Sequence, residues 1–274
     1  MKTSVLYFFI LCFTISAIPL SAQDKLDDIC LSDELTIQNL DADVYLITHR
    51  FPWAANSLLV RVSSKDFILV DTPWENQATA ILHQWIQKTF GDVDLKVINT
   101  HFHRDNLGGN DYLIRKNIPV YGSHLTVKLL QDTTSPDNKL LGLKDNPQRQ
   151  REYDIFQKTP LVPPNHLFET EDGLLFEAPN DTVEVYHPGP GHSPDNIVVY
   201  FKNKNILFGG CLVKCKASQS LGYLGAADLE KWPQSLKNVI QKYPDAKTVV
   251  PGHGPPGGLD LIEHTLQLLK MKKQ

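Results

Sequence analysis

Apolar and polar positions first alternate with a period of two. "DVYLITH" (43–49), "NSLLVRVSS" (56–64) and "DFILVDT" (66–72) read as strands, the last two joined by a polar turn as in a hairpin. The period then lengthens. "ENQATAILHQWIQKTF" (75–90) carries apolar residues at helical spacing, and "LKVINT" (95–100) is a short buried strand. "HLTVKLL" (124–130) follows Ser123, a good helix N-cap. From Asp132 to Pro164 the pattern is polar and proline-bearing, which predicts a surface excursion with some helix around 147–158. A second series of strands follows at 173–178, 182–187, 196–201 and 205–210, and helices near 228–242 and 259–272 bracket "KTVVPGHG" (247–254). Two similar halves, each ending in helix, predict an α/β fold in which two sheets pack face to face with helices outside, within one domain.

Composition narrows the class. With 274 residues, 42% hydrophobic and 21% charged, the chain suits a globular protein with a sizeable core. A net charge of −4 offers no basic excess, so neither nucleic acid nor an anionic membrane surface is expected as a partner. "VLYFFILCFTISAIPL" behind Met1-Lys2 reads as a secretory signal peptide over residues 1–22, cleaved after Ala22. That places residues 23–274 in an exported, periplasmic protein with no membrane contact after processing. Cys30, Cys211 and Cys215 then remain, so at least one thiol stays free in an oxidising compartment and needs a reason to exist.

Metal ligation supplies a reason. "NTHFHRDNLGGN" (99–110) sets His101, His103 and Asp105 on alternate residues, one face of an extended backbone, before Gly108 and Gly109 permit a sharp turn. His192 sits in a Gly/Pro-rich loop, "HPGPGHSPDN", while Cys211 and His253 each follow an apolar strand and a glycine. Six ligands exceed one tetrahedral zinc but suit two zinc ions with three each and open positions for water. His101, His103 and His192 would hold one ion, and Asp105, Cys211 and His253 the other. His49, His83, His124, His166, His187 and His264 read as structural or surface residues.

"THFHRDNLGG", "GHSPDN", "FGGCLVK" and "PGHG", in this order and spacing, resemble the metallo-β-lactamase superfamily, and within it class B β-lactamases of subclass B1. Asn106 stands where superfamily hydrolases such as glyoxalase II carry histidine, Cys211 is present, and His101 is not replaced by asparagine. The resemblance implies an αββα sandwich of two mixed β-sheets, two zinc ions per chain, and hydrolysis of the lactam amide of penicillins, cephalosporins and carbapenems by a zinc-bound hydroxide. It implies that Asp105 orients the nucleophile, that Lys214 pairs with the substrate carboxylate, and that Asp71 supports the site from behind. Tyr223 occupies a position where relatives place asparagine and is expected to narrow the space for bulky substituents. The loop "HRFPWAANS" (49–57), taken to lie between the first two strands, is shorter than in relatives, and Trp53 within it could pack on substrate. A monomer is expected. An exported di-zinc hydrolase of another ester or amide, or a zinc-storing protein, is the competing expectation.

Overall fold

Strands whose two faces are both apolar must be covered on both sides, and that requirement builds the layers. In the computed structural model, which describes residues 28–132, 143, 146–159 and 161–272, eight strands lie side by side in chain order. They are β1 (Ile29–Ser32), β2 (Leu35–Asp41), β3 (Val44–His49), β4 (Ala55–Arg61), β5 (Asp66–Val70), β6 (Asp94–Ile98), β7 (Val120–Ser123) and β8 (His166–Phe168). Neighbours are antiparallel as far as β5 and parallel from β5 to β8. The second sheet orders β9 (Leu174–Ala178), β10 (Asp181–Tyr186), β11 (Val198–Phe201), β12 (Ile206–Gly210) and β13 (Thr248–Pro251) from one edge to the other, with only β12 and β13 parallel. The helices are α1 (Asn76–Phe90), α2 (Arg104–Leu107), α3 (Asn110–Arg115), α4 (His124–Leu130), α5 (Gln150–Lys158), α6 (Trp232–Lys242) and α7 (Asp260–Lys272).

Side-chain alternation sorts residues between layers. Leu58, Val60, Ile68 and Val70 face the second sheet and pack with Val199, Phe201 and Phe208. Leu59, Phe67 and Leu69 point the other way, onto Leu82 and Ile86 of α1 and Leu113 of α3. On the far side, Tyr200 and Leu207 meet Trp232, Leu236 and Val239 of α6 and Leu261 and Leu268 of α7. The result is the expected αββα sandwich of two mixed sheets. Among the described residues no helix is long and apolar enough to cross a membrane. The segment read as a signal peptide lies outside them.

The main elements fall where the patterning puts them, including the Ser123 cap, whose hydroxyl accepts from Thr126 N–H at 3.1 Å. Strands β1, β2, β7 and β8 were not visible in it. As a result the loop carrying Trp53 joins β3 to β4 rather than the first two strands. The expected surface excursion is also more than surface. Its helix α5 brings Phe156 against Trp74, with ring centroids 5.9 Å apart and stacked, and against Phe51.

His49 closes β3 as a buried structural residue, and its Nδ1 accepts from Trp74 N–H at 3.2 Å. Burial, the dominant influence, lowers its pKa to about 4. Between about pH 4 and 6.5 the folded state therefore binds fewer protons here than the unfolded chain. The contribution is complete above pH 6.5 and is lost as pH falls through that window, on the order of 3 kcal/mol in total. We predict that His49→Gln, which keeps an acceptor for Trp74, flattens the pH dependence of unfolding free energy over this range. Urea titrations in chelator would measure it; identical slopes for both proteins would refute it.

Candidate metal centre

The parallel pairs β5/β6 and β12/β13 send their carboxyl ends to one rim of the sandwich, the usual place for a site in such sheets. Asn56 of β4 joins the two sheets there. Its backbone N–H donates to Gly252 O at 2.8 Å, and its side-chain amide donates to Pro251 O and Gly254 O at 2.9 and 2.7 Å. Ile197 N–H, donating to Thr100 O at 2.9 Å, makes a second tie between the sheets.

The structure brings all six anticipated side chains together on this rim. His103 Nδ1 lies 3.0 Å from His101 Nε2 and 3.1 Å from His192 Nε2. Cys211 Sγ lies 3.4 Å from Asp105 Oδ2 and 3.3 Å from His253 Nε2, and those two atoms are 3.1 Å apart. All but His253 are buried. The remaining six histidines lie elsewhere.

The local backbone differs from an extended alternation. His103 is extended (φ −74°, ψ 153°) as the residue before α2, and Asp105 stands in the first turn of that helix, so a bend rather than a strand face converges them. Gly108 and Gly109 serve close packing instead of an unusual turn. Both have right-handed helical φ and ψ, but a Cβ would fall 2.0 Å from Trp74 O at Gly108 and 2.1 Å from the Thr79 hydroxyl at Gly109.

The donor set fits cations. Burial, with His103 and Lys214 adding to it, drives His101 and His192 well below the usual imidazole pKa, so these rings are neutral acceptors. His103 Nδ1 faces two of them at once, and a single proton cannot bridge three converging lone pairs. In the other triad, burial favours a protonated Cys211 thiol, and the Asp105 charge raises its pKa further. Burial alone would lower His253, but Cys211 and Asp105 raise it well above the ordinary value. Asp105 is held below the usual carboxylate range, because its hydrogen bond to His253 and that imidazole's charge outweigh burial. A proton on His253 and the thiol hydrogen of Cys211 thus stand beside the Asp105 carboxylate where a metal could.

Groups behind the ligands set ring orientation. Asp71, fully buried at φ +59°, accepts from Thr100 N–H and Thr100 Oγ1–H at 2.7 Å each. Thr100 Oγ1 lies 3.3 Å from His101 Nδ1, and the Asn106 side-chain amide nitrogen lies 2.7 and 3.0 Å from His101 Nδ1 and Nε2, so the ring is held from both sides. His253 Nδ1 donates to Ala54 O at 2.7 Å, fixing Nε2 toward Cys211. Asp195, not singled out in the sequence, accepts from Thr126 Oγ1 at 2.7 Å, from Ser193 Oγ at 2.8 Å and from Phe102 N–H. It thereby clamps the loop of His192 to the loop of His101 and His103. Burial raises its pKa to about 6. The "SPD" within "GHSPDN" was its sequence trace.

Beside the triads opens a cavity of about 680 Å³. Lys214 lines it but is buried, its Nζ 5.4 Å from the Trp232 ring centre; burial, the largest influence, lowers its pKa. Tyr223 stands half-exposed at the mouth with its ring edge-on to His103 at 5.5 Å, its phenol folded across Gly225. Trp53 forms part of the opposite lining, edge-on to Trp74 at 4.7 Å. Arg104 also faces this space. Burial lowers its pKa to about 10.

Residues 50–253 match the family described as "Metallo-beta-lactamase superfamily". The chain is 31% identical over 245 residues to a Bacteroides fragilis protein named metallo-beta-lactamase type 2, covering 87% of each. It is 32% identical to the Bacillus cereus protein of that name, over 86% of this chain and 83% of that one. Among solved structures, a metallo-beta-lactamase from Pontibacter korlensis superposes with a TM-score of 0.73 at 32% identity, covering 86% of this chain and 99% of its own. The structure titled VMB-1 gives 0.71 at 34% identity, with 89% and 100% covered.

Proposed function

We propose, for a chain that belongs to the metallo-β-lactamase superfamily and resembles its B1 members, zinc-dependent hydrolysis of the β-lactam amide of penicillins, cephalosporins and carbapenems. One observation carries the reading: His101, His103 and His192 converge ring nitrogens, Asp105, Cys211 and His253 form a three-donor cluster, and both meet beside a cavity that also holds a buried ammonium. Imidazole, thiolate and carboxylate together suit zinc, at two ions per chain, with His101, His103 and His192 on one and Asp105, Cys211 and His253 on the other. Bound there, zinc supplies Lewis acidity and acidifies a water toward neutral pH.

The chain's own groups bind and orient. Asp105 turns Oδ2 to the Cys211 triad, leaving Oδ1 to align the attacking water and hold its proton. The Lys214 ammonium pairs with the carboxylate these drugs share, and its desolvation strengthens that pair. Phe102, Leu221 and Trp53 line the cavity with apolar surface that excludes bulk water.

Nitrocefin and imipenem turnover tests the proposal. Hydrolysis should disappear in chelator, return on adding zinc, and coincide with two metals per chain. Cys211→Ser should weaken one of the two sites far more than the other, because a hydroxyl is a poor zinc ligand. Turnover confined to unrelated esters or amides would replace the reading, and full activity at one zinc would remove the two-site version.

Lys214→Ala is expected to raise KM for carboxylate-bearing lactams by roughly 1–3 kcal/mol, with zinc content unchanged. Equal losses on a lactam ester, which has no free carboxylate, would refute the pairing.

Tyr223→Asn is expected to raise kcat/KM for bulky cephalosporins more than for imipenem, since it removes bulk at the mouth. A uniform gain would instead assign an electronic role to asparagine at this position, and a uniform loss would give that role to the tyrosine hydroxyl.

A further inference from the structure

The cavity carries a cation that neither triad nor Lys214 explains. Arg104 lines it between His103 and Asp105. One guanidinium N–H donates to Thr159 O at 2.8 Å, and the group lies 4.6 Å from the centre of the Phe156 ring. No carboxylate among the described residues pairs with it. Arg149, the other arginine lining the cavity, is by contrast held by Glu152. A guanidinium has five N–H donors, and Thr159 uses one. A charge taken from water without a counter-ion is costly, so a fold that keeps one at a cavity wall has a use for it.

We propose that Arg104 forms a second anion subsite, selecting lactams whose acyl side chain carries both an aromatic ring and a carboxylate. This rests on the β-lactamase reading above, in which Lys214 already takes the carboxylate common to these drugs. The neighbouring surface fits the rest of such a side chain. Phe156 stacks on Trp74 and Trp53 meets Trp74 edge-on, so an aryl group has an aromatic wall beside the guanidinium. Arginine's planar fork can grip a carboxylate through two N–H donors at once.

Carbenicillin and benzylpenicillin make a matched pair, differing by one carboxylate beside the same phenyl ring. Arg104→Gln is expected to raise KM for carbenicillin about tenfold more than for benzylpenicillin, the size of one charge-assisted hydrogen bond. Arg104→Lys should recover part of that difference, because it keeps the charge and loses the fork. An equal rise on both drugs, with a fall in Tm, would overturn the subsite and leave Arg104 as a strap on Thr159 and Phe156. If the wild type hydrolyses neither drug, the β-lactamase reading falls, and the subsite is still decided by calorimetry with phenylmalonate and phenylacetate on zinc-loaded protein. Tighter phenylmalonate binding that vanishes in Arg104→Gln supports it; no Arg104-dependent difference overturns it.

Discussion

Six donor atoms are packed at hydrogen-bond distance on one rim of the sandwich, most of them out of water. Two belong to side chains that are anionic when they ligate, Asp105 and Cys211, and each raises the electrostatic cost of the other. Within the chain, a proton on His253 and the nearby Lys214 ammonium offset that charge. A cation at the triad would displace the protons on His253 and Cys211, so metal affinity there is coupled to proton release and rises with pH. The histidine triad is different in kind. Its two most buried rings are neutral, and what it lacks is a single acceptor of three lone pairs. One rim thus holds one site dominated by charge and one dominated by geometry.

Such a rim forms only if the two sheets end together. Asn56 accomplishes part of this by donating to both Pro251 O and Gly254 O around His253. Asp71 and Asp195 do the rest from below, each a buried carboxylate accepting backbone and hydroxyl donors. Neither carries a salt bridge among the described residues. Both stay raised above the ordinary carboxylate pKa by burial, a cost met because each oxygen fixes a loop that bears a ligand.

The two-layer architecture was legible because strand alternation and helix periodicity are local: Leu58 and Leu59 announce opposite faces by adjacency alone. The six candidate donors could be picked out because glycine-flanked histidines and a thiol after an apolar strand have few other uses, and the fold gathers them on one rim. What could not be read depends on contacts across the fold. Strands β7 and β8 are short and become strands through pairing with neighbours far along the chain, while β1 is a four-residue strand formed by its hairpin with β2. The roles of Asp195 and Asn56 lie in partners 69 and 195 residues away. Gly108 and Gly109 looked like turn residues, yet what demands them is the approach of Trp74 and Thr79, which no local pattern contains.

Lys214 and Arg104, which have no carboxylate partner among the described residues, share one design. Lys214 lies against Trp232 and Arg104 against Phe156, each at cation–π distance from an aromatic face. A carboxylate in either place would have stabilised the cation more strongly, but would also have consumed the charge and occupied its N–H donors. An aromatic face offers a weaker attraction and leaves those donors available. Arg149 on the same wall also lies 5.4 Å from the centre of the Trp53 ring, but there Glu152 takes its N–H groups and its charge no longer reaches a ligand undiminished. Partner choice therefore separates cations that hold the fold from cations kept ready for an anion, and by that criterion Lys214 and Arg104 belong together.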